Sequence, residues 1–211
     1  MRNRNYRHIE SLRSDFAERK DAIRKRLEEF EAIPPHEYFF ELVYCLLTPQ
    51  SSAVNAGRAV EALKSAGWPN RHCNIAALLH QDSFYIRFHN TKAKHLNAAQ
   101  QQVSHILAHL NNGASSVELR EWLVNNVKGL GWKESSHFLR NIGRRNLAIL
   151  DRHILRNLKR HSVIGVIPKA LTPKRYLAIE ERFKLFSAEI GISMDELDLL
   201  FWSRETGEIL K

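Results

Sequence analysis

The stretch KGLGWKESSHFLRN, at residues 128–141, combines two glycines with two lysines at the start of an amphipathic run. Between two helices, Gly129 and Gly131 allow a tight turn and the close approach of another backbone. The amides that follow belong to a helix N-terminus and suit a phosphate oxygen. This pattern predicts binding to the DNA backbone without any contact that depends on base sequence. The residues expected to bind are Lys128, Gly129, Leu130 and Gly131. The glycines alone are also typical of a turn that only joins two packed helices.

Two residues of this region could carry out covalent chemistry. Lys133 falls at the start of the helix after the glycines, where the helix dipole disfavours a cation and favours a neutral, nucleophilic amine. Asp151 follows one helix and one connector later, directly before the apolar run HILRNL. A carboxylate near the amine can orient it, accept a proton or stabilise positive charge on a sugar. The alternatives are a solvent-exposed lysine and an aspartate that only caps its own helix.

The charge of the chain favours a polyanionic partner. Lys and Arg number 32 against 23 Asp and Glu, which gives a net charge of +9. Nucleic acid is the first candidate partner and an anionic membrane surface the second, while charge kept for solubility remains the alternative. A chain of 211 residues can form one substantial domain or two small lobes that share a cleft.

Several classes of protein are excluded by what the sequence lacks. The N-terminal stretch is basic without an apolar core, so it is no signal peptide, and no apolar run approaches the length of a membrane span. Cys45 and Cys73 form no CxxC pair, which indicates a reducing compartment and no cysteine-ligated metal. His105 and His109 lack the acidic residue of an HExxH site. We therefore expect an intracellular protein without membrane contact or a bound metal.

Apolar periodicity predicts helices throughout, so the predicted fold class is all-α. One long helix is expected over about 91–111 and another over about 8–30, while VIGVIPKALTP is the one convincing non-helical stretch. Ser193 is expected to cap the last helix.

The segment KGLGWKESSHFLRNIG, followed by AILDRHIL, resembles the helix–hairpin–helix superfamily of DNA base-excision glycosylases. The match is closest to the compact archaeal-type class of 8-oxoguanine DNA glycosylase/lyases. LLTPQSSA and the final FWSRETGEILK resemble further family segments, so the resemblance covers roughly residues 36–211. One departure is the connector after the hairpin, which has Gly143 but no proline, whereas the family's loop is rich in both.

The resemblance implies an architecture. Residues 1–211 would form a single glycosylase unit, with two helical lobes and an active-site cleft between them. The hairpin motif would span about 118–142, and the helix of the essential aspartate would begin at Asp151.

The resemblance also implies an activity. Lys133 matches the catalytic lysine of bifunctional members, and Asp151 matches their essential aspartate. Such an enzyme flips the damaged nucleotide out of the duplex, and Lys133 then attacks C1′ of the deoxyribose and displaces 8-oxoguanine. The resulting Schiff base permits β-elimination, which cuts the strand on its 3′ side. Asp151 would support the attack and the developing oxocarbenium charge.

No cofactor is required by this chemistry, and the partner is double-stranded DNA containing 8-oxoguanine. A DNA-bending glycosylase of this kind is expected to act as a monomer, located with the DNA.

The resemblance also implies that three residues recognise the flipped base. Trp202 and Phe88 would stack on its two faces, with core packing as the alternative for each ring. Lys211 and its terminal carboxylate would help to distinguish 8-oxoguanine from guanine.

Three more residues are weaker candidates for contact with the base. Asp198, one turn before Trp202, could accept a hydrogen bond from it or face solvent. Gln50 and Ser52 offer an amide and a hydroxyl, or else they only cap a helix.

Two other functions stay open at this point. A glycosylase of the same fold could act on another lesion, although the missing four-cysteine cluster argues against the iron–sulfur branch that handles oxidised pyrimidines, and Lys133 argues against monofunctional members. A non-catalytic helix–hairpin–helix DNA-binding module would explain the charge and the glycines, but it leaves the pairing of Lys133 with Asp151 to chance.

Overall fold

The structure, a computed structural model, describes residues 6–209 of the chain. Within that range the chain forms eleven α-helices: α1 (Ile9–Glu31), α2 (Tyr38–Leu47), α3 (Ala53–Ser65), α4 (Ile75–Leu78), α5 (His89–Gln101), α6 (Val103–Leu110), α7 (Ser116–Asn126), α8 (Trp132–Asn141), α9 (Arg152–Arg160), α10 (Pro173–Ile190) and α11 (Met194–Thr206). A 3-10 turn spans Pro35–Glu37. The predicted all-α class is confirmed.

One small sheet interrupts the helices. Strands β1 (His80–Gln81) and β2 (Phe84–Tyr85) pair antiparallel, with His80 opposite Tyr85 and Gln81 opposite Phe84. Periodicity could not predict strands of two residues, because alternation needs a longer run to be visible.

The chain divides into two compact units. The terminal unit joins Met1–Ala32 to Leu139–Lys211, and the inserted unit spans Ile33–Phe138. In the terminal unit α1 packs on α11, which also packs on α9 and α10. The helix expected over about 8–30 is confirmed as α1, which buries five apolar residues: Leu12, Phe16, Ile23, Leu27 and Phe30.

The inserted unit is organised around α2. Its residues Phe39 to Leu47 are nearly all buried, and α2 packs against α3, α5 and α6. A helix so apolar on every side is typical of the centre of a domain. Among the described residues, no helix is both long and apolar enough to cross a membrane.

The single long helix expected over 91–111 is wrong. The helical path is broken at Gln102, whose backbone has φ −116° and ψ 15°, so that α5 ends and α6 begins anew. The Gln102 side-chain amide donates a hydrogen bond of 3.3 Å to the Asn126 carbonyl at the end of α7. Such a contact depends on packing between distant segments, which helical periodicity does not report.

Candidate active site

Helices α7 and α8 form the helix–turn–helix that the glycine pattern predicts. Helix α7 begins at a capping box between Ser115 and Glu118. The turn is closed by the Leu130 amide, which donates to the Val127 carbonyl at 3.1 Å. Helix α8 then starts where the Ser135 amide donates to the Gly131 carbonyl at 2.9 Å. This end of α8 is a helix N-terminus that follows a glycine turn, which is the kind of site that suits an anion.

The turn packs closely against α5 and α2 at Gly129. This residue has φ +98°, and a Cβ there would lie 2.5 Å from His95 Nδ1 and 3.0 Å from Leu46 Cδ2. Only glycine fits both the backbone and the space. Leu130 is buried, whereas Lys128 is exposed. The turn thus holds its position through Leu130 and leaves Lys128 available to a phosphate.

Arg120 ties the two helices of the hairpin together. Its side chain is fully buried in α7, and its guanidinium lies 4.9 Å from the centre of the Trp132 ring. Its Nη1 donates to Ser136 Oγ at 3.3 Å. Both contacts fall on the first turns of α8, so Arg120 fixes the segment that bears Lys133.

Lys133 lies in the first turn of α8, as predicted. Its side chain is 26% exposed, and its Nζ lies 3.7 Å from Glu134 Oε1. That separation makes an ion pair without a direct hydrogen bond. Glu134 was missed from the sequence, although an acidic residue in the first turn of a helix is the arrangement that the dipole favours.

Two titratable side chains lie close to the hairpin. Burial lowers the pKa of Lys92 to about 8, while the charge of Glu134 raises it. Burial also lowers the pKa of His95, and the cations Lys128 and Lys92 lower it further. The His95 imidazole beside Gly129 is therefore biased toward its neutral form, which avoids one more positive charge in an already cationic region.

Asp151 forms the N-cap of α9 and binds a distant tryptophan as well. Its Oδ1 accepts hydrogen bonds from the amides of His153 and Ile154, both at 2.8 Å. Its Oδ2 accepts one from Trp202 Nε1 at 2.9 Å. The capping role is thus confirmed, and the structure joins this carboxylate to a residue that the sequence had assigned only to the base.

The connector before Asp151 is fixed without a proline. Gly143 has φ +82°, and a Cβ there would lie 2.8 Å from the Glu31 Cα, so the backbone passes directly against α1. Arg145 then binds Glu31 Oε1 through two nitrogens, at 2.8 and 2.9 Å, and also donates to the Leu27 carbonyl. The two bonds to Glu31 Oε1 are charge-assisted, and together with the bond to Leu27 they hold the Arg145 side chain against α1.

The last part of the connector is held by α10. Glu180 Oε1 accepts from the Ala148 amide at 2.7 Å. The Tyr176 hydroxyl donates to the Ala148 carbonyl at 2.5 Å and accepts from the Leu150 amide at 3.3 Å. Side chains of α10 therefore fix the backbone of the connector directly before Asp151.

Candidates for contact with the base lie in both units. In the inserted unit, Gln50 and Phe88 are exposed residues with left-handed backbones, φ +56° and +59°. Ser52 caps α3 by accepting from the Asn55 amide at 3.1 Å, which confirms the capping alternative for this residue.

The terminal unit contributes Trp202 and Asp198. Trp202 is half-buried beside His153, with ring centres 5.3 Å apart. Asp198 is buried, and its Oδ2 lies 3.6 Å from Arg140 Nη1. A carboxylate paired inside the packed unit does not face solvent, so that alternative for Asp198 is wrong, and its contact with a base stays a prediction. Lys211 lies outside the described residues.

Over residues 6–209, no group of three or more His, Cys, Asp or Glu side chains is arranged to hold a metal ion.

Comparison with known proteins identifies similar chains across the whole length. The family model described as 8-oxoguanine DNA glycosylase matches residues 23–192. A relative from Fusobacterium nucleatum, named 8-oxoguanine DNA glycosylase/AP lyase, is 39% identical over 222 aligned residues, which cover 100% of this chain and 99% of the relative. A Korarchaeum cryptofilum relative of the same name is 39% identical and covers 91% of each chain.

Solved structures give the same result. The crystal structure of 8-oxoguanine DNA glycosylase from Methanocaldococcus jannaschii superposes with a TM-score of 0.84 at 32% identity, over 99% of this chain and 100% of that one. The 8-oxoguanine glycosylase/lyase from the same organism, in complex with a 15mer DNA containing 8-oxoguanine, gives a TM-score of 0.79 at 33% identity, over 95% and 100%.

Proposed function

The chain belongs to the 8-oxoguanine DNA glycosylase family, and we propose that it excises 8-oxoguanine from duplex DNA and then cleaves the strand as an AP lyase. The placement of Lys133 carries the proposal at the level of residues. This amine lies in the first turn of α8, directly after a turn that is pinned by Gly129 and suited to a phosphate. We therefore assign phosphate binding to the turn and attack on the sugar to Lys133, in adjacent parts of one hairpin.

The reaction begins when the neutral Lys133 amine attacks C1′ of the flipped nucleotide. The bond between C1′ and the base breaks, and the base leaves with the electron pair and takes up a proton. The Lys133 nitrogen then loses one proton, and the bond between C1′ and O4′ breaks as O4′ takes up a proton, so the opened sugar is joined to the lysine as a protonated Schiff base. Removal of a proton from C2′ then expels the 3′ phosphate, which cuts the strand.

Asp151 acts as the carboxylate of this reaction. Three hydrogen bonds hold its two oxygens, from the amides of His153 and Ile154 and from the Trp202 indole. A carboxylate so fixed needs no reorganisation when positive charge develops on the sugar, and its stabilising effect is therefore largest there. Its charge also favours the iminium form of the Schiff base.

Contact with DNA and with the base is assigned to the remaining residues. Lys128 and the backbone of Gly129, Leu130 and Gly131 bind a phosphate of the lesion strand. Trp202 and Phe88 stack on the base, and Gln50 offers it a hydrogen-bonding amide. Asp198, Ser52 and Lys211 complete the set of expected contacts. We expect the protein to work on DNA as a monomer.

The activity is tested with duplexes that carry one lesion each. Full-length protein is incubated with 8-oxoguanine opposite cytosine, and in parallel with uracil, thymine glycol and an alkylated purine. We expect release of 8-oxoguanine and a 3′ β-elimination product from the first duplex alone. Excision of another base with 8-oxoguanine left intact would assign a different lesion. Tight DNA binding without any cleavage would indicate a binding module instead.

A further inference from the structure

Lys92 is a buried lysine that the mechanism above does not use. It lies on α5 and is 5% exposed. Its Nζ donates hydrogen bonds to the carbonyls of Leu47 and Pro49, both at 2.7 Å, and to Ser51 Oγ at 3.2 Å. An ammonium is costly to bury unless its three protons find acceptors, and here all three do. The three acceptors belong to the end of α2 and to the turn that follows it, so the ammonium holds that turn.

Ser51 extends this contact to a second loop. Its Oγ also accepts a hydrogen bond from the Arg87 amide at 3.1 Å. The same two segments are joined again where Asn55 Nδ2 donates to the Tyr85 carbonyl at 3.2 Å. The turn after α2 and the loop before α5 therefore form one connected rim, with Lys92 beneath it.

Each loop of this rim presents one exposed residue in an unfavourable backbone conformation. Gln50 stands between Pro49 and Ser51 with φ +56°, and Phe88 follows Arg87 with φ +59°. Phe88 is 50% exposed although it is a large apolar side chain. Left-handed residues other than glycine persist only where neighbouring contacts hold them, and they concentrate at ligand-binding sites. The contacts that hold these two converge on Ser51 and Lys92.

We propose that Lys92 is a positioning residue, which acts through Ser51 to hold Gln50 and Phe88 in the arrangement that receives the 8-oxoguanine base. This inference rests on the proposed function, because it assumes that Gln50 and Phe88 contact that base. It predicts a selective defect. Excision needs the base to be held, whereas β-elimination at a site that has already lost its base does not.

The test compares these two reactions in single turnover with saturating full-length enzyme. Wild type, Lys92→Met and Lys94→Met are given an 8-oxoguanine duplex and a duplex with a preformed abasic site. Lys94 is exposed on the same helix and serves as the matched loss of one positive charge. We expect Lys92→Met to slow excision by on the order of tenfold to a hundredfold and to slow abasic-site cleavage far less, since small misplacements of a bound group have effects of that size. Lys94→Met should leave both rates close to those of wild type.

Ser51→Ala provides a milder variant of the same contact, should Lys92→Met fail to fold. It removes the oxygen shared by Lys92 and Arg87 and leaves both carbonyl contacts in place. We expect a smaller loss with the same selectivity for excision. The double variant Ser51→Ala/Phe88→Ala should excise 8-oxoguanine little more slowly than Phe88→Ala alone, because the effects of coupled residues are not additive.

Three results would contradict either the positioning role of Lys92 or the proposed function. Equal loss of excision and abasic-site cleavage in both Lys92→Met and Ser51→Ala would overturn the positioning role and leave the proposed function standing, as would unchanged excision in both. Failure of wild type to excise 8-oxoguanine at all would overturn the proposed function itself.

Discussion

Lys133 in the inserted unit and Asp151 in the terminal unit are held in opposite ways. The Lys133 amine is partly exposed and has an ion pair at 3.7 Å. The Asp151 carboxylate accepts three hydrogen bonds of 2.8 to 2.9 Å. A nucleophile must move toward a carbon atom and form a bond, whereas a group that stabilises charge works best when it is fixed in advance. The difference in restraint therefore matches the difference in proposed roles.

The difference in restraint between Lys133 and Asp151 also affects stability. Removal of the Lys133 charge breaks one long ion pair, which contributes about 1 kcal/mol or less at a partly exposed site. Changes at Asp151 disturb a helix cap and a hydrogen bond to the Trp202 indole together. We therefore expect activity and stability to separate at Lys133 and to fall together at Asp151.

Lys133→Gln is expected to have the largest effect. Excision and β-elimination should both fall by at least on the order of a thousandfold, because the proposed mechanism assigns the nucleophile to Lys133. The thermal midpoint should stay close to that of wild type. Single-turnover rates and thermal unfolding measure the two quantities.

Lys128→Gln is the matched control from the same hairpin. It should weaken DNA binding modestly and more so at low salt, with the rate at saturating enzyme retained. A comparable loss of rate in Lys128→Gln and Lys133→Gln would contradict the assignment of Lys128 to phosphate binding and of Lys133 to nucleophilic attack.

Asp151→Asn is expected to have the second-largest effect. Asparagine caps a helix as well as aspartate does, so Oδ1 keeps its two backbone contacts, but the amide nitrogen then meets the Trp202 N–H with a donor. We expect loss of activity by on the order of a hundredfold to a thousandfold and of about 1–3 kcal/mol in unfolding free energy. Chemical denaturation measures the second quantity. Full activity with reduced stability would leave Asp151 as a cap only.

Trp202→Phe separates orientation of Asp151 from stacking on the base. It keeps an aromatic face and removes the indole donor to Asp151 Oδ2. If the hydrogen bond orients the carboxylate, the rate at saturation should fall on the order of tenfold with little change in substrate affinity. An unchanged rate with weaker binding would assign Trp202 to the base alone.

Much of this site follows from local sequence. The glycine spacing predicts the hairpin turn, and the position of Asp151 before an apolar run predicts its cap, because both depend on residues close in the chain. The bond from Trp202 to Asp151 crosses 51 residues, and the Lys92 contacts cross more than 40. Neither leaves a periodic signal, since each depends on how particular side chains pack. The Gln102 break in the long helix was missed for the same reason.

The smallest effect concerns pH. Burial lowers the pKa of Lys92 from 10.5 to about 8 in the folded chain, against the charge of Glu134. Between these values the unfolded chain binds more protons than the folded one, so the unfolding free energy should rise as pH rises through this window. The charge of Lys92 is also one cause of the lowered pKa of His95, whose imidazole is therefore biased toward its neutral form.

Urea denaturation across the same pH window measures the Lys92 contribution. Wild type should gain stability relative to Lys92→Met, which lacks the titrating amine. Above its pKa, the amine can still donate to the carbonyls of Leu47 and Pro49 and accept from the Ser51 hydroxyl, so the rim should stay intact. Parallel curves for the two proteins would show that Lys92 does not titrate in this range.

Covalent trapping identifies the residue that attacks the sugar. Wild type and Lys133→Gln are incubated with an 8-oxoguanine duplex in the presence of borohydride, and the adduct is mapped by mass spectrometry of its peptides. We expect a reduced adduct between wild type and DNA, attached at Lys133, and none with Lys133→Gln. An adduct at another lysine, or an equal yield from Lys133→Gln, would contradict the assignment of the nucleophile.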